Sequence, residues 1–111
     1  MEKTDRETTL AEAQDWVRQF CDERKWDPYH GAKDLAIGLV TEASELLEIF
    51  RFVPEKELAA LVDRPDKREE IADELADSLY FILRFAQLYK FDLSTSLAKK
   101  IIKNAKKYPK P

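Results

Sequence analysis

The chain has 111 residues, enough for one domain with a modest core, and we read 1–111 as a single unit. At 44% hydrophobic and 37% charged, with two glycines among many Ala, Leu, Glu and Lys, the composition points to an all-α fold. A net charge of −3 gives no bulk pull towards nucleic acid or an anionic membrane, no apolar run nears the roughly 20 residues of a membrane span, and a lone Cys21 excludes an internal disulfide and a cysteine-rich metal site.

The chain opens on MEKTDRE, which is charged and lacks the apolar region of a signal peptide. With a single cysteine suited to a reducing compartment, a cytoplasmic location is expected. Thr9 and Glu12 have the spacing of a capping box, so the first helix is predicted from Thr9 to about Arg24. Its apolar stripe is Leu10, Ala13, Val17 and Phe20, with Cys21 beside it. Lys25–Gly31 (KWDPYHG) contains Pro28 and Gly31 and reads as a loop. The loop offers Trp26, Tyr29 and His30, side chains that bind ligands or simply pack.

A central helix is predicted from Ala32 to Val53, ending before Pro54 because a residue preceding proline avoids the helical region. Steps of three and four give one stripe: Leu35, Leu39, Glu42, Leu46, Ile49, Val53. Glu42 therefore sits inside an apolar face, where a carboxylate is costly unless paired, protonated or bound to a metal. Glu45 lies at the stripe's edge and Glu48 roughly opposite.

Glu55–Val62 is expected to form one or two short turns and Asp63–Asp66 a further turn. Asp66 with Glu69 is expected to cap a helix from Lys67 to Tyr89, whose core side reads Ile71, Leu75, Leu79, Ile82 and Ala86. Beyond Leu79 this helix is apolar nearly all round, through Phe81, Leu83, Phe85 and Leu88, which implies burial on most sides and hints at a partner subunit. Asp92 or Ser94 caps a last helix, Thr95–Lys107, whose lysines gather at its C-terminal end as the helix dipole favours.

The long helix carries two overlapping acidic pairs, Glu70-x-x-Asp73 and Glu74-x-x-Asp77. Followed forward, the second line runs into Ser78, Phe81, Phe85 and Leu88, whereas Asp73 leads to the more polar Tyr80, Arg84 and Gln87. Glu74 and Asp77 are accordingly placed at the edge of the core, with Glu70 and Asp73 more exposed. Two helices then each present two carboxylates, and antiparallel packing brings Glu42 and Glu45 opposite Glu74 and Asp77. Four such groups cannot stay charged and close without a cation. Hard oxygen ligands suit Mg²⁺, with Mn²⁺ as a substitute. A di-iron carboxylate bundle is disfavoured, since it wants two Glu-x-x-His motifs and the chain has one histidine, His30.

Magnesium held by helix carboxylates commonly serves a phosphorylated substrate. Lys100, Asn104 and Lys107 share a face of the last helix and are candidate phosphate partners, while Trp26, Phe52 and Phe81 are candidate stacking surfaces for a base. Each of these residues also has an ordinary reading, as a solvated helix end or as core. The competing reading of the whole chain is a non-catalytic helical interaction module whose acidic pairs only make salt bridges.

Three ordered motifs carry a resemblance. GLVTEASELLEIFRF, DELADSLYFIL and the terminal stretch from Lys100 to Pro109 (KxxxNxxKYP) are similar to the all-α MazG-like nucleotide pyrophosphohydrolases, most of all the short dCTP pyrophosphatase branch. The likeness runs from about Trp26 to Pro109. It implies a four-helix MazG-like bundle assembled through helix pairs into a homodimer or homotetramer. It also implies a Mg²⁺-dependent enzyme splitting a nucleoside or deoxynucleoside triphosphate into the monophosphate and pyrophosphate, with a house-cleaning role in the nucleotide pool. By matching position, Glu42, Glu45, Glu74 and Asp77 would bind the metal, with Glu45 a candidate to position the attacking water. Trp26 would match a base-stacking tryptophan, and Lys100 and Asn104 sugar or phosphate contacts; His30 and Lys107 join the candidate substrate residues. Phe52 stands where that branch has tryptophan and Phe81 where it has tyrosine, which keeps the ring faces and drops their polar groups. A histidine contact from the first helix would fall near Val17 and is absent, and Thr41 stands where MazG proper has an acidic residue.

Overall fold

The computed structural model describes residues 2–111. Among them are five α-helices and no strand: α1 (Leu10–Glu23), α2 (Ala32–Phe50), α3 (Leu58–Asp63), α4 (Pro65–Tyr89) and α5 (Leu93–Lys107). The all-α expectation holds. The count is five rather than four, because the segment expected as short turns becomes a 3-10 turn at Glu55–Glu57 followed by α3.

Local chemistry sets most of the helix ends. The Thr9 hydroxyl accepts from the Glu12 N–H at 3.1 Å, and the Glu12 carboxylate accepts from the Thr9 N–H at 3.3 Å, forming the expected capping box. α2 stops at Phe50, short of Val53, because the Val53 N–H bonds back to the Phe50 carbonyl in a tighter turn before Pro54. α4 starts two residues earlier than expected, with Pro65 in its first turn, where a missing N–H costs nothing. Asp66 does not cap it; its carboxylate sits inside the first turn and pairs with Arg64 at 2.9 Å. Asp92 caps α5 by accepting from the Thr95 N–H at 2.9 Å, and α5 begins at Leu93.

α4 is the axis of the molecule, packed along α2, on α1 and against α3. Gly38 meets Phe81 while Glu42 meets Glu74, so partners rise along α2 as they fall along α4 and the two helices run antiparallel. The α1–α4 contact buries Val17, Cys21 and Leu83, with Ala13, Tyr80 and Leu93 packed around them. The Cys21 thiol lies 3.0 Å from the Tyr80 hydroxyl, which satisfies both groups inside this cluster. The predicted stripe is the inward one: on α2, Leu35 is buried and Leu39, Glu42, Leu46 and Ile49 are half-buried, as is Val53 just past its end, while Ile37, Val40 and Leu47 are exposed.

The core side of α4 differs from expectation. Ala86 is buried and Ile71 half-buried, but Leu75, Leu79 and Ile82 are exposed. α1 and α2 cover two faces of α4 and leave a third, which carries those three residues. Arg84, placed by its sequence line on a polar side, is completely buried. α5 meets the other helices only sparsely and buries none of its residues. The radius of gyration, 16.6 Å, exceeds the ~13 Å of a compact domain of about this length.

Candidate active site

Glu42 and Glu45 stand three residues apart on α2, hence on one face, and Glu74 reaches them from α4. One carboxylate oxygen from each lies within 4.8 Å of the others. Glu42 and Glu74 are half-buried and Glu45 is exposed. One oxygen of Glu42 and one of Glu74 are shut off from solvent without any hydrogen-bond partner. Native structures rarely tolerate such atoms without a reason.

Electrostatics carries the same signature. Desolvation first, then the adjoining Glu45 carboxylate and the charge of Asp77, push the Glu42 carboxyl up to about 7. Desolvation and Glu45 likewise raise Glu74, with a smaller push from Asp77. Among the described residues no lysine or arginine forms a salt bridge with Glu42, Glu45, Glu74 or Asp77. Neighbouring acids are treated differently: Glu48 pairs with Arg51 at 2.9 Å and Glu70 with Lys67 at 3.1 Å. An all-oxygen donor set with unpartnered inward atoms and two raised carboxyls, Glu42 and Glu74, fits a small divalent cation.

Asp77 is exposed and lies outside the close trio, although its charge acts on Glu42 and Glu74. Glu74 is set apart from the exposed Glu70 and Asp73 as the sequence led one to expect, but Asp77, expected beside it at the edge of the core, is as exposed as they are.

The candidate substrate residues fall on several elements. Trp26 packs edge-on against Phe20, with ring centroids 5.5 Å apart, and against His30 at 5.8 Å. His30 Nδ1 accepts from Arg84 Nε at 3.0 Å, and burial and the Arg84 charge push the imidazole below its ordinary value. Phe81 is half-buried, edge-on to Tyr80 at 5.1 Å, and borders an apolar cavity of about 240 Å³ between α2 and α4. Phe52 is 82% exposed beyond the end of α2, beside Val53 and Pro54. On α5, Lys100 and Lys107 are exposed and Asn104 is half-buried.

Two residues near the site escaped the sequence reading. Arg84 ties the Trp26 loop to α4; its signal was a lone charge inside the apolar run FILRFAQL. Gly38 lies one turn before Glu42 and leaves room for the Phe81 ring; its signal was a glycine in the middle of a helix, where the residue is costly.

The MazG nucleotide pyrophosphohydrolase domain matches residues 31–110 of this chain. dCTP pyrophosphatase 1 of Bos taurus is 30% identical over 103 residues, and that of Homo sapiens is 29% identical over the same length. These matches take in 93% of this chain, which spans 61% of the length of either relative. The crystal structure of a pyrophosphatase from Archaeoglobus fulgidus superposes with a TM-score of 0.85 at 32% identity, covering 97% of this chain and 100% of that one. By its domain match and by this likeness in fold and sequence, the chain belongs to the MazG nucleotide pyrophosphohydrolase family.

Proposed function

We propose that the protein is a divalent-metal-dependent nucleoside triphosphate pyrophosphohydrolase. It would split a (d)NTP, with dCTP or a modified dNTP as the leading candidates, into the monophosphate and pyrophosphate. The observation that carries this reading is the pair of solvent-shielded, unpartnered oxygens of Glu42 and Glu74 in one carboxylate cluster. Glu42, Glu45 and Glu74 would hold the cation, with Asp77 closing the set; Mg²⁺ fits the donors and Mn²⁺ can replace it. When bound, the metal neutralises phosphate oxygens and acidifies a coordinated water.

The chain's own groups would do the rest. Glu45, the exposed member of the trio and so the one least fully engaged in holding the cation, would orient the attacking water and take its proton. The water oxygen bonds to the α-phosphorus, and the bond from that phosphorus to the bridging oxygen breaks. The leaving pyrophosphate carries new negative charge, which Lys100 and Lys107 are suited to meet. Asn104 and His30 offer hydrogen bonds to sugar or phosphate, and the ring faces of Trp26, Phe52 and Phe81 offer stacking for the base.

A second copy of the chain would complete the assembly. Ile37, Val40, Leu75, Leu79, Leu97, Ile101 and Ile102 are exposed on three helices, and large exposed apolar side chains mark protein–protein contact where they gather into one patch. A homodimer or homotetramer built through α2, α4 and α5 would cover them and account for the open shape of the single chain.

The test is a hydrolysis panel over standard and damaged NTPs and dNTPs, with Mg²⁺ and again with EDTA, following pyrophosphate and phosphate separately. Metal-dependent pyrophosphate release is expected, and the rank order of substrates reads out the base pocket. Folded protein that turns over no nucleotide would sink the reading.

A further inference from the structure

Arg84 is the one charged side chain that is buried among the described residues, and its surface exposure is zero. A guanidinium that deep must be paired and hydrogen-bonded to be tolerated. Its Nε donates to His30 Nδ1 at 3.0 Å, one terminal nitrogen donates to Gln87 Oε1 at 2.6 Å, and the other donates to the Asp27 carboxylate. Gln87 lies on α4 itself. Asp27 and His30 lie 57 and 54 residues away in the chain, at the two ends of one 3-10 turn, Asp27–Tyr29. Trp26 is the residue that enters this turn, and its indole rests edge-on against the His30 ring.

Besides Arg84, the turn is held at its entry by the Trp26 N–H bonded to the Cys21 carbonyl at 3.1 Å and by the Trp26 ring against Phe20. It buries no residue, Tyr29 is 72% exposed, and Lys25 before it sits at a left-handed φ of 55°. The planar fork of one arginine thus gathers both ends of a short, exposed segment and anchors it to the helix that also carries Glu74 and Phe81. Arginine suits this task because its donors diverge in a fixed plane; a lysine in the same place can hold one partner well but not both.

We infer that Arg84 is a positioning residue for substrate binding, which sets the place of the Trp26 ring by clamping Asp27 and His30. This rests on the proposed reading of Trp26 as a base-stacking side chain. The consequence lies in binding more than in chemistry. The carboxylates sit on the facing stretches of α2 and α4, so loosening the turn should raise KM and leave kcat nearly as it is.

The experiment uses the full chain carrying Trp16→Phe, so that Trp26 is its only tryptophan. Into it go Arg84→Met, which removes the buried charge while keeping the bulk, Arg84→Lys, and Asp27→Ala at the exposed end. Circular dichroism selects the variants that fold. The expected result is about a tenfold rise in KM for the preferred nucleotide, kcat within about twofold, no rescue by lysine, and stronger acrylamide quenching of Trp26 without nucleotide. Asp27→Ala, being on the surface, keeps the test alive if both Arg84 variants fail to fold. Folded variants with unchanged KM and unchanged quenching would overturn the inference, as would equal losses in kcat and KM terms from a damaged site. If the parent protein hydrolyses nothing, the proposed function has failed and the substrate half of the inference with it; quenching then decides the clamp alone.

Discussion

The Phe81 ring occupies the space that a side chain at residue 38 would need. A Cβ built on Gly38 would overlap three atoms of that ring, on the turn of α2 that precedes Glu42. Gly38→Ala gains about 1 kcal/mol of helix propensity and meets an overpacking cost of about 1–3 kcal/mol. The apolar cavity bordering Phe81 gives the ring some room to turn, which keeps the overpacking cost off its upper limit, and a net loss of about 1 kcal/mol is expected. In a Phe81→Ala background the overlap is gone and the same change should stabilise. A denaturant-based double-mutant cycle measures this sign reversal; the same sign in both backgrounds would contradict the packing seen here.

Replacing Glu42 by Gln keeps the shape and removes a charge that the apo fold disfavours. Without metal, Glu42→Gln should melt at or above the parent temperature at pH 8. Its turnover should drop by at least ~100-fold, the scale of losing an electrostatic group at the reacting centre. Mg²⁺ should raise the parent's Tm, by an amount equivalent to about 2.7 kcal/mol at a hundredfold excess over Kd, and leave the variant almost unmoved. Were Glu42 half of a structural ion pair, the substitution would instead lower the apo Tm and spare activity.

Because Glu42 is raised to about 7 from an ordinary 4.5, the folded apo protein binds more protons than the unfolded chain between those values. Its contribution to stability is therefore present below about 4.5 and is lost as pH rises through about 7. Metal binding must expel that proton, so Mg²⁺ affinity should climb with pH up to about 7 and then level off. Isothermal titration from pH 5.5 to 8.5 reads this directly. A flat profile would show that Glu42 does not titrate at the site.

His30 acts with the opposite sign. Its folded value is depressed, by burial first and then by Arg84, so its contribution is present above the unfolded value of 6.5 and is lost as pH falls through the folded one. Protonation also removes the Nδ1 acceptor that Arg84 Nε uses. In a Glu42→Gln, Glu74→Gln background, which silences both raised carboxyls, stability should fall as pH is lowered from 7 to 5, and His30→Gln should flatten that slope.

The exposed apolar face of α4 predicts association. Leu79→Glu places a charge on a residue that is already 45% exposed in the single chain. The folded helix content should survive, and light scattering should show a shift to monomer. An unchanged mass would move the interface away from this face.

Much of the molecule follows from local chemistry, and that part was legible in the residues. The Thr9–Glu12 box, the stop of α2 ahead of Pro54, the Asp92 cap and the inward stripe through Leu35, Leu39 and Glu42 depend on neighbours within a turn or two. The acidic pairs were visible for the same reason, since three-residue spacing on a helix puts two carboxylates on one face. Only the packed structure could decide the rest. Which face of α4 turns inward depends on how α1 and α2 share its surface, so Leu75, Leu79 and Ile82 came out exposed. That Glu42 and Glu74 each hold an unpartnered oxygen depends on the register between antiparallel helices, which neither helix encodes alone. The burial of Arg84 depends on Asp27 and His30, more than fifty residues away. A charge that reads as surface within its own helix becomes interior when another segment supplies its partners.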